Sequence, residues 1–289
     1  MGTRLTSVAA RGCDAACVTL PGLVLLGAPK CGTTALAAWW DLHPQGFTAP
    51  EKEVGFFTAE WDRGLDWYRS RFACAARGQV TCDASPGYLY DDVALDRLAR
   101  ELPHARLAVI LREPVSRVWS HWCYMTALGL EPRPFSRVLD EEALDPTATP
   151  PAFPIGYLQG SRYASRLEAV TQRFERSQLL VLLTDELRDD PVGTFARLCR
   201  HGGIAPGTPG GRENEGRLPR SMALQRTLGR FHAYQWPGGV GRRLMQLNLR
   251  PGSPPPLGGA DRERLRGLLV DEVPALGAWL GRDLPASWG

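Results

Sequence analysis

Short, unbroken apolar runs punctuate the chain at Leu23–Leu26, Leu107–Leu111 and Gln178–Leu183. Because each is continuous rather than alternating, each predicts a strand covered on both faces. Gln79–Cys82 is a fourth, weaker strand. Between these runs, apolar residues recur at helical spacing over Thr33–Leu42, Val93–Glu101, Val115–Leu128, Ser161–Phe174, Pro191–His201 and Arg262–Leu280. Asp190 before Pro191 forms a cap and first-turn pair, Asp261 predicts the N-cap of the last helix, and His43 caps the end of the first. Strands alternating with helices predict an α/β fold built on a central parallel sheet with helices on both faces.

Two stretches break the pattern. Gly129–Tyr157 holds six prolines and reads as a surface excursion, and Gly202–Gly259 is dense in Gly, Pro and Arg with one helical segment near Ser221–Tyr234. Loops of this length are typically functional lids or linkers. With no repeat and no clean linker, residues 22–289 read as a single domain with long lid loops, preceded by a 1–21 extension that is expected to be poorly ordered.

Composition narrows the function classes. Of 289 residues, 44% are hydrophobic and 22% charged, enough for a full core. The net charge of +3 is too even for a dedicated nucleic-acid binder, which concentrates basic residues on one face. The seven cysteines lack zinc-type spacing, which predicts reduced thiols, a cytoplasmic setting and no metal; a Cys74–Cys82 bridge is the expected exception. Neither a signal peptide nor a membrane span is legible. Basic residues are written as Arg 32 times and as Lys twice, at Lys30 and Lys52.

The strongest chemical signal is Leu23-Val-Leu-Leu-Gly27-Ala-Pro-Lys30-Cys-Gly32-Thr33-Thr34, a buried strand running through a Gly-bracketed turn into a helix. The free amides and dipole at a helix start favour an anion, and Lys30 adds a mobile positive charge. A Walker A loop would place Lys directly before the hydroxyl residue, and a Walker B strand would end in Asp. Here Lys30 precedes Gly32, and the later strand ends in Arg112-Glu113-Pro114, which points to a phosphate ligand bound without metal. Arg112 offers a planar fork for phosphate, with the Ser120 hydroxyl two helical turns away.

Gly27-x-Pro-Lys30-x-Gly32-Thr-Thr34 resembles the 5′-phosphosulfate loop of sulfotransferases that use 3′-phosphoadenosine 5′-phosphosulfate (PAPS), and Arg112 to Ser120 is similar to their 3′-phosphate segment. Glu53-Val-Gly-Phe-Phe57, Gly64-Leu-Asp-Trp-Tyr68 and Asp83-Ala-Ser-Pro-Gly-Tyr88 place the likeness nearest the heparan-sulfate or carbohydrate type and its bacterial relatives, from about Gly22 onward. The resemblance implies a P-loop-like fold and PAPS as donor. It assigns Glu53 as general base, made more basic by partial burial beside Phe56 and Phe57, with Glu51 as competitor. Lys30 would stabilise the leaving phosphate. Cys31, Gly32, Thr33, Thr34, Arg112 and Ser120 would bind the donor, and Arg217 and Arg220 would close over its 3′-phosphate. Lys52, Phe57 and Tyr88 are expected at the acceptor. Where heparan-type enzymes often carry Lys, this chain has Ala84, which favours a less charged glycan, a lipid headgroup or a small molecule over a polyanion. A magnesium-dependent small-molecule kinase and a non-catalytic PAPS-binding protein are the alternatives.

Overall fold

A computed structural model describes residues 20–51, 53–145, 155–210, 217–230, 240–252 and 255–289. Five parallel strands form the centre: β1 (Leu23–Gly27), β2 (Gly46–Thr48), β3 (Val80–Asp83), β4 (Arg106–Leu111) and β5 (Leu179–Leu183), in the order β2-β3-β1-β4-β5. Every residue of β1 is buried, and all of β4 but its first, as unbroken apolar runs require when helices cover a sheet. The chain leaves β1 toward β2 and β3 but leaves β4 toward β5. The crevice beyond the carboxyl ends of β1 and β4 is therefore the switch point where α/β sheets bind ligands.

Helices α1 (Thr33–Leu42), α2 (Gly64–Ser70), α3 (Asp92–Glu101) and α4 (Pro114–Ala127) are followed by α5 (Phe135–Leu144) and α6 (Tyr163–Thr171). After β5 come α7 (Thr184–Asp189) and α8 (Pro191–Gly202). Side chains start several of them: Asp91 accepts from the Ala94 amide, Glu113 from those of Val115 and Ser116, and Asp190 from that of Gly193. Glu113 is thus the cap of α4. His43 ends α1, its own amide donating to Trp40 while its Nδ1 accepts from the Gln45 amide.

The structure corrects several expectations. The Pro-rich 129–157 stretch contains α5, and Phe135, Val138, Leu139 and Tyr157 form a second core with Val115, Val118 and Leu265. The helix expected over Arg262–Leu280 is two, α11 (Gly259–Leu268) and α12 (Glu272–Leu280), and Asp261 lies in the first turn rather than at the cap. Between α8 and α11 lie a two-stranded antiparallel ribbon, β6 (Arg217–Pro219) with β7 (Leu249–Pro251), and the helices α9 (Met222–Arg230) and α10 (Val240–Leu247). Gln225 ties α9 to the carbonyl of Ala127 at the end of α4. Cys82 is a free buried thiol, as are Cys31, Cys123 and Cys199, so the expected Cys74–Cys82 bridge is absent, although Cys74 is disulfide-bonded. Residues 1–19 lie outside the described residues. No described helix is long and apolar enough to cross a membrane.

Candidate active site

The turn after β1 is built around two left-handed residues, Lys30 (φ 71°) and Gly32 (φ 116°). Gly32 adopts this backbone freely, whereas for Lys30 it costs on the order of 1 kcal/mol, the kind of strain that collects at functional sites. Among the described residues, the amides of Gly32, Thr33 and Thr34 donate to no acceptor, as expected of a helix start, where such amides favour an anion. Thr184 secures the turn from β5, its Oγ1 lying 2.6 Å from the Cys31 carbonyl and 3.0 Å from that of Leu111. The Cys31 side chain is buried against the Tyr163 hydroxyl, and burial pushes its thiol up. Its amide donates to Ala28, so Cys31 serves the turn rather than a ligand.

Lys30 reaches α4, where its Nζ stands 3.8 Å from the centre of the Tyr124 ring. Tyr124 is 45% exposed, and its phenol is raised by burial and then by the Glu53 carboxylate. Tyr124 thus packs against Lys30 and feels the charge of Glu53, and no motif in the sequence marks it. The available signal was its place one helical turn past Ser120 on α4. His121, buried on the same helix, is held neutral by burial and by the charges of Arg117 and Lys30.

Glu53 is exposed, which corrects the expected partial burial. Phe56 and Phe57 turn inward instead, into an aromatic cluster with Trp61, Tyr68 and Tyr88. Phe57 and Tyr88, expected at the acceptor, are both fully buried and brace the site from behind. At the centre of that brace Asp83 accepts hydrogen bonds from Ser85 Oγ (2.6 Å), Tyr68 OH (2.8 Å) and Tyr88 OH (3.0 Å). Ser85 Oγ in turn accepts from the Gly55 amide, and Tyr88 OH from the Phe57 amide, so the turn after β3 grips the segment carrying Glu53. Burial raises Asp83 to about 6, against the pull of its three donors and with a small push from Glu53. Glu51, the competing base, is paired to Arg71 at 3.1 Å. Lys52 lies outside the described residues.

On the far side of the turn, Arg112 Nη1 lies 3.5 Å from the Lys30 carbonyl, and the Arg112 carbonyl accepts from Tyr163 OH at 3.0 Å. Arg112, Ser116, Trp119 and Ser120 line a cleft of about 320 Å³, closed opposite by Pro255–Leu257 and Arg262. Trp119 Nε1 donates to the Pro255 carbonyl at 2.8 Å, joining the walls. The second arginine of this cleft is Arg262, a residue that the sequence reading placed only in a helix. Arg220 is exposed, holds the ribbon through its amide to Asn248 and does not line the cleft; the Arg217 side chain lies outside the described residues. A larger hollow of about 790 Å³ beside α12 shares no lining residue with this cleft. Among the described residues, no group of three or more His, Cys, Asp or Glu is placed to hold a metal.

Residues 70–206 match the model of the sulfotransferase family, a span from the last residue of α2 to just beyond α8 that includes Arg112 and Ser120; the Lys30 turn and Glu53 precede it. The chain is 30% identical over 195 residues to a bifunctional heparan sulfate N-deacetylase/N-sulfotransferase 1 of Caenorhabditis briggsae, covering 63% of this chain and 22% of that protein. It is 30% identical over 179 residues to heparan sulfate glucosamine 3-O-sulfotransferase 6 of Mus musculus, covering 62% and 51%. It thus spans about half or less of these relatives. A solved sulfotransferase from Alicyclobacillus acidocaldarius shares the fold, with a TM-score of 0.68 at 22% identity over 93% of this chain and 99% of that one.

Proposed function

From the match of residues 70–206 to the sulfotransferase family model, we propose that the chain transfers a sulfuryl group from PAPS to a hydroxyl, less readily an amine, of a glycan, lipid or small-molecule acceptor. The observation that carries this reading is the left-handed Lys30–Gly32 turn with its bare amides, set beside Arg112 beyond the carboxyl ends of β1 and β4. The donor supplies an activated sulfuryl group when bound. The residues fit such a molecule, because unpaired amides stand at one end and an arginine-lined cleft at the other. The amides of Gly32, Thr33 and Thr34 would hold the 5′ anion, and Arg112 with Ser120, joined by Arg262, would hold the 3′-phosphate. Lys30 would offset the negative charge that grows on the leaving phosphate. Glu53, exposed at the mouth, would take the proton of the acceptor group once the acceptor has displaced water from it.

The relatives named for heparan sulfate support a carbohydrate acceptor of either the O- or the N-type. Ala84, buried in the turn that holds Asp83, leaves no cation there for a polyanion, which favours an acceptor of lower charge. The test is an intact-mass assay of an acceptor panel with PAPS, looking for the gain of one sulfonate, with ATP and EDTA arms to separate a metal-dependent kinase. Glu53→Gln should lower kcat by about 100-fold or more while leaving the affinity for adenosine 3′,5′-bisphosphate within about twofold. Full activity in that variant would remove Glu53 as the base.

A further inference from the structure

One charge at the site has no use in the scheme above. Arg117, on α4, is fully buried. Its Nε donates to the Pro29 carbonyl at 3.3 Å, immediately before Lys30, and its Nη1 donates to the Tyr157 carbonyl at 3.0 Å. Its Nη2 is buried with no hydrogen-bond partner. Among the described residues it enters no ion pair. The nearby carboxylate of Glu142 is occupied by the amides of Tyr157 and Leu158, at 2.7 and 2.6 Å. Gly160 makes room for the guanidinium, since a Cβ there would stand 2.3 Å from Nη1.

A buried cation without a contact counter-ion is expensive, and the usual remedies are pairing or loss of the proton. An arginine does not lose its proton. Glu142 acts on Arg117 electrostatically but makes no ion pair with it, so part of the counter-charge is left to a ligand, and Arg117 touches the turn whose amides are bare.

We propose that Arg117 is a positioning residue that supplies fixed positive charge beneath the Lys30 turn, and that the rest of its counter-charge is the 5′ anionic group of the bound nucleotide. This rests on the reading of that turn as the donor site. Acting through the Pro29 carbonyl, the guanidinium holds the crest of the turn while its charge favours an anion on the other side. The same field lowers the buried Cys31 thiol against the desolvation that raises it, and it disfavours a proton on His121.

Calorimetry with two ligands on the full chain separates this role from a merely structural one. Adenosine 3′,5′-bisphosphate carries the 5′ anion, and adenosine 3′-monophosphate lacks it. In Arg117→Met the preference for the bisphosphate over the monophosphate should fall about tenfold, with monophosphate affinity within about twofold of wild type. Arg117→Lys, which keeps the charge, should hold that preference within about threefold. Arg117→Gln is the second neutral variant if Met does not fold. Equal loss of both ligands in the neutral variants would overturn the proposal, as would a preference that falls as far in Arg117→Lys as in Arg117→Met. Tight binding of both nucleotides by wild type with no preference between them would overturn it while leaving the 3′-phosphate cleft intact. Binding of neither would remove the donor reading itself, and this inference with it.

Discussion

The two walls of the site are built by opposite means. The wall proposed for the donor consists of a strained turn, three unpaired amides and fixed cations, all placed directly by the ends of β1 and β4. The acceptor wall hangs on an exposed segment whose position is set from behind by the buried Asp83 network. A wall made of backbone and strand ends tolerates little movement but many side chains. A wall braced by side chains depends on each link of the brace. Substitutions that strike one wall and spare the other test this difference.

The largest effect is expected at the donor wall. Lys30→Ala removes the ammonium proposed to face the leaving group while the amides of Gly32, Thr33 and Thr34 stay in place. Steady-state kinetics should show kcat reduced by about 100-fold or more, with donor KM changed much less. A rise in KM with unchanged kcat would make Lys30 a binding residue alone. Arg112→Ala comes next. Loss of a charge-assisted contact is worth about 1.5–3 kcal/mol, so the affinity for adenosine 3′,5′-bisphosphate should fall by roughly 10- to 100-fold. Calorimetry showing no change would assign the cleft to something other than the 3′-phosphate.

How much of each wall was legible follows from how it is built. The donor wall is local in sequence: a buried run, a glycine turn and a helix cap lie within a dozen residues, and Arg112 closes a second such run. The acceptor wall is not local. Nothing in the pattern around Glu53 says that Phe56 and Phe57 point inward, because exposure is decided by the turn after β3, some thirty residues away. Tyr124 and Arg262 were missed for the same reason, each reaching the site from a helix whose partner is distant. In the fold, β2 is only three residues long and gives no periodicity. Pro134 reads as a mark of loop, yet it stands just before α5, where proline is tolerated. The break between α11 and α12 is invisible to periodicity because Leu265, Leu269 and Leu276, all buried, keep helical spacing across it.

The smallest effect is expected at the brace itself, and it is read from stability rather than rate. Asp83 in the folded protein titrates near 6, whereas an unfolded Asp loses its proton near the ordinary carboxylate value of about 3.9. Between about pH 4 and 6 the folded state thus holds a proton that the unfolded state has released. Stability from this group is fully present below that window, declines as pH rises through it and is level above about 6. The decline amounts to at most about 3 kcal/mol, the value of two pKa units. Asp83→Asn cannot titrate, so chemical denaturation from pH 4 to 7 should show that decline in wild type and a flatter profile in the variant. Its amide nitrogen must also face a hydroxyl that now donates, which loosens the grip of Ser85 on Gly55 and should cost activity at pH 7 only a few-fold. Equal slopes in the two proteins would mean that Asp83 is ionised throughout, held by its three donors more strongly than burial opposes it.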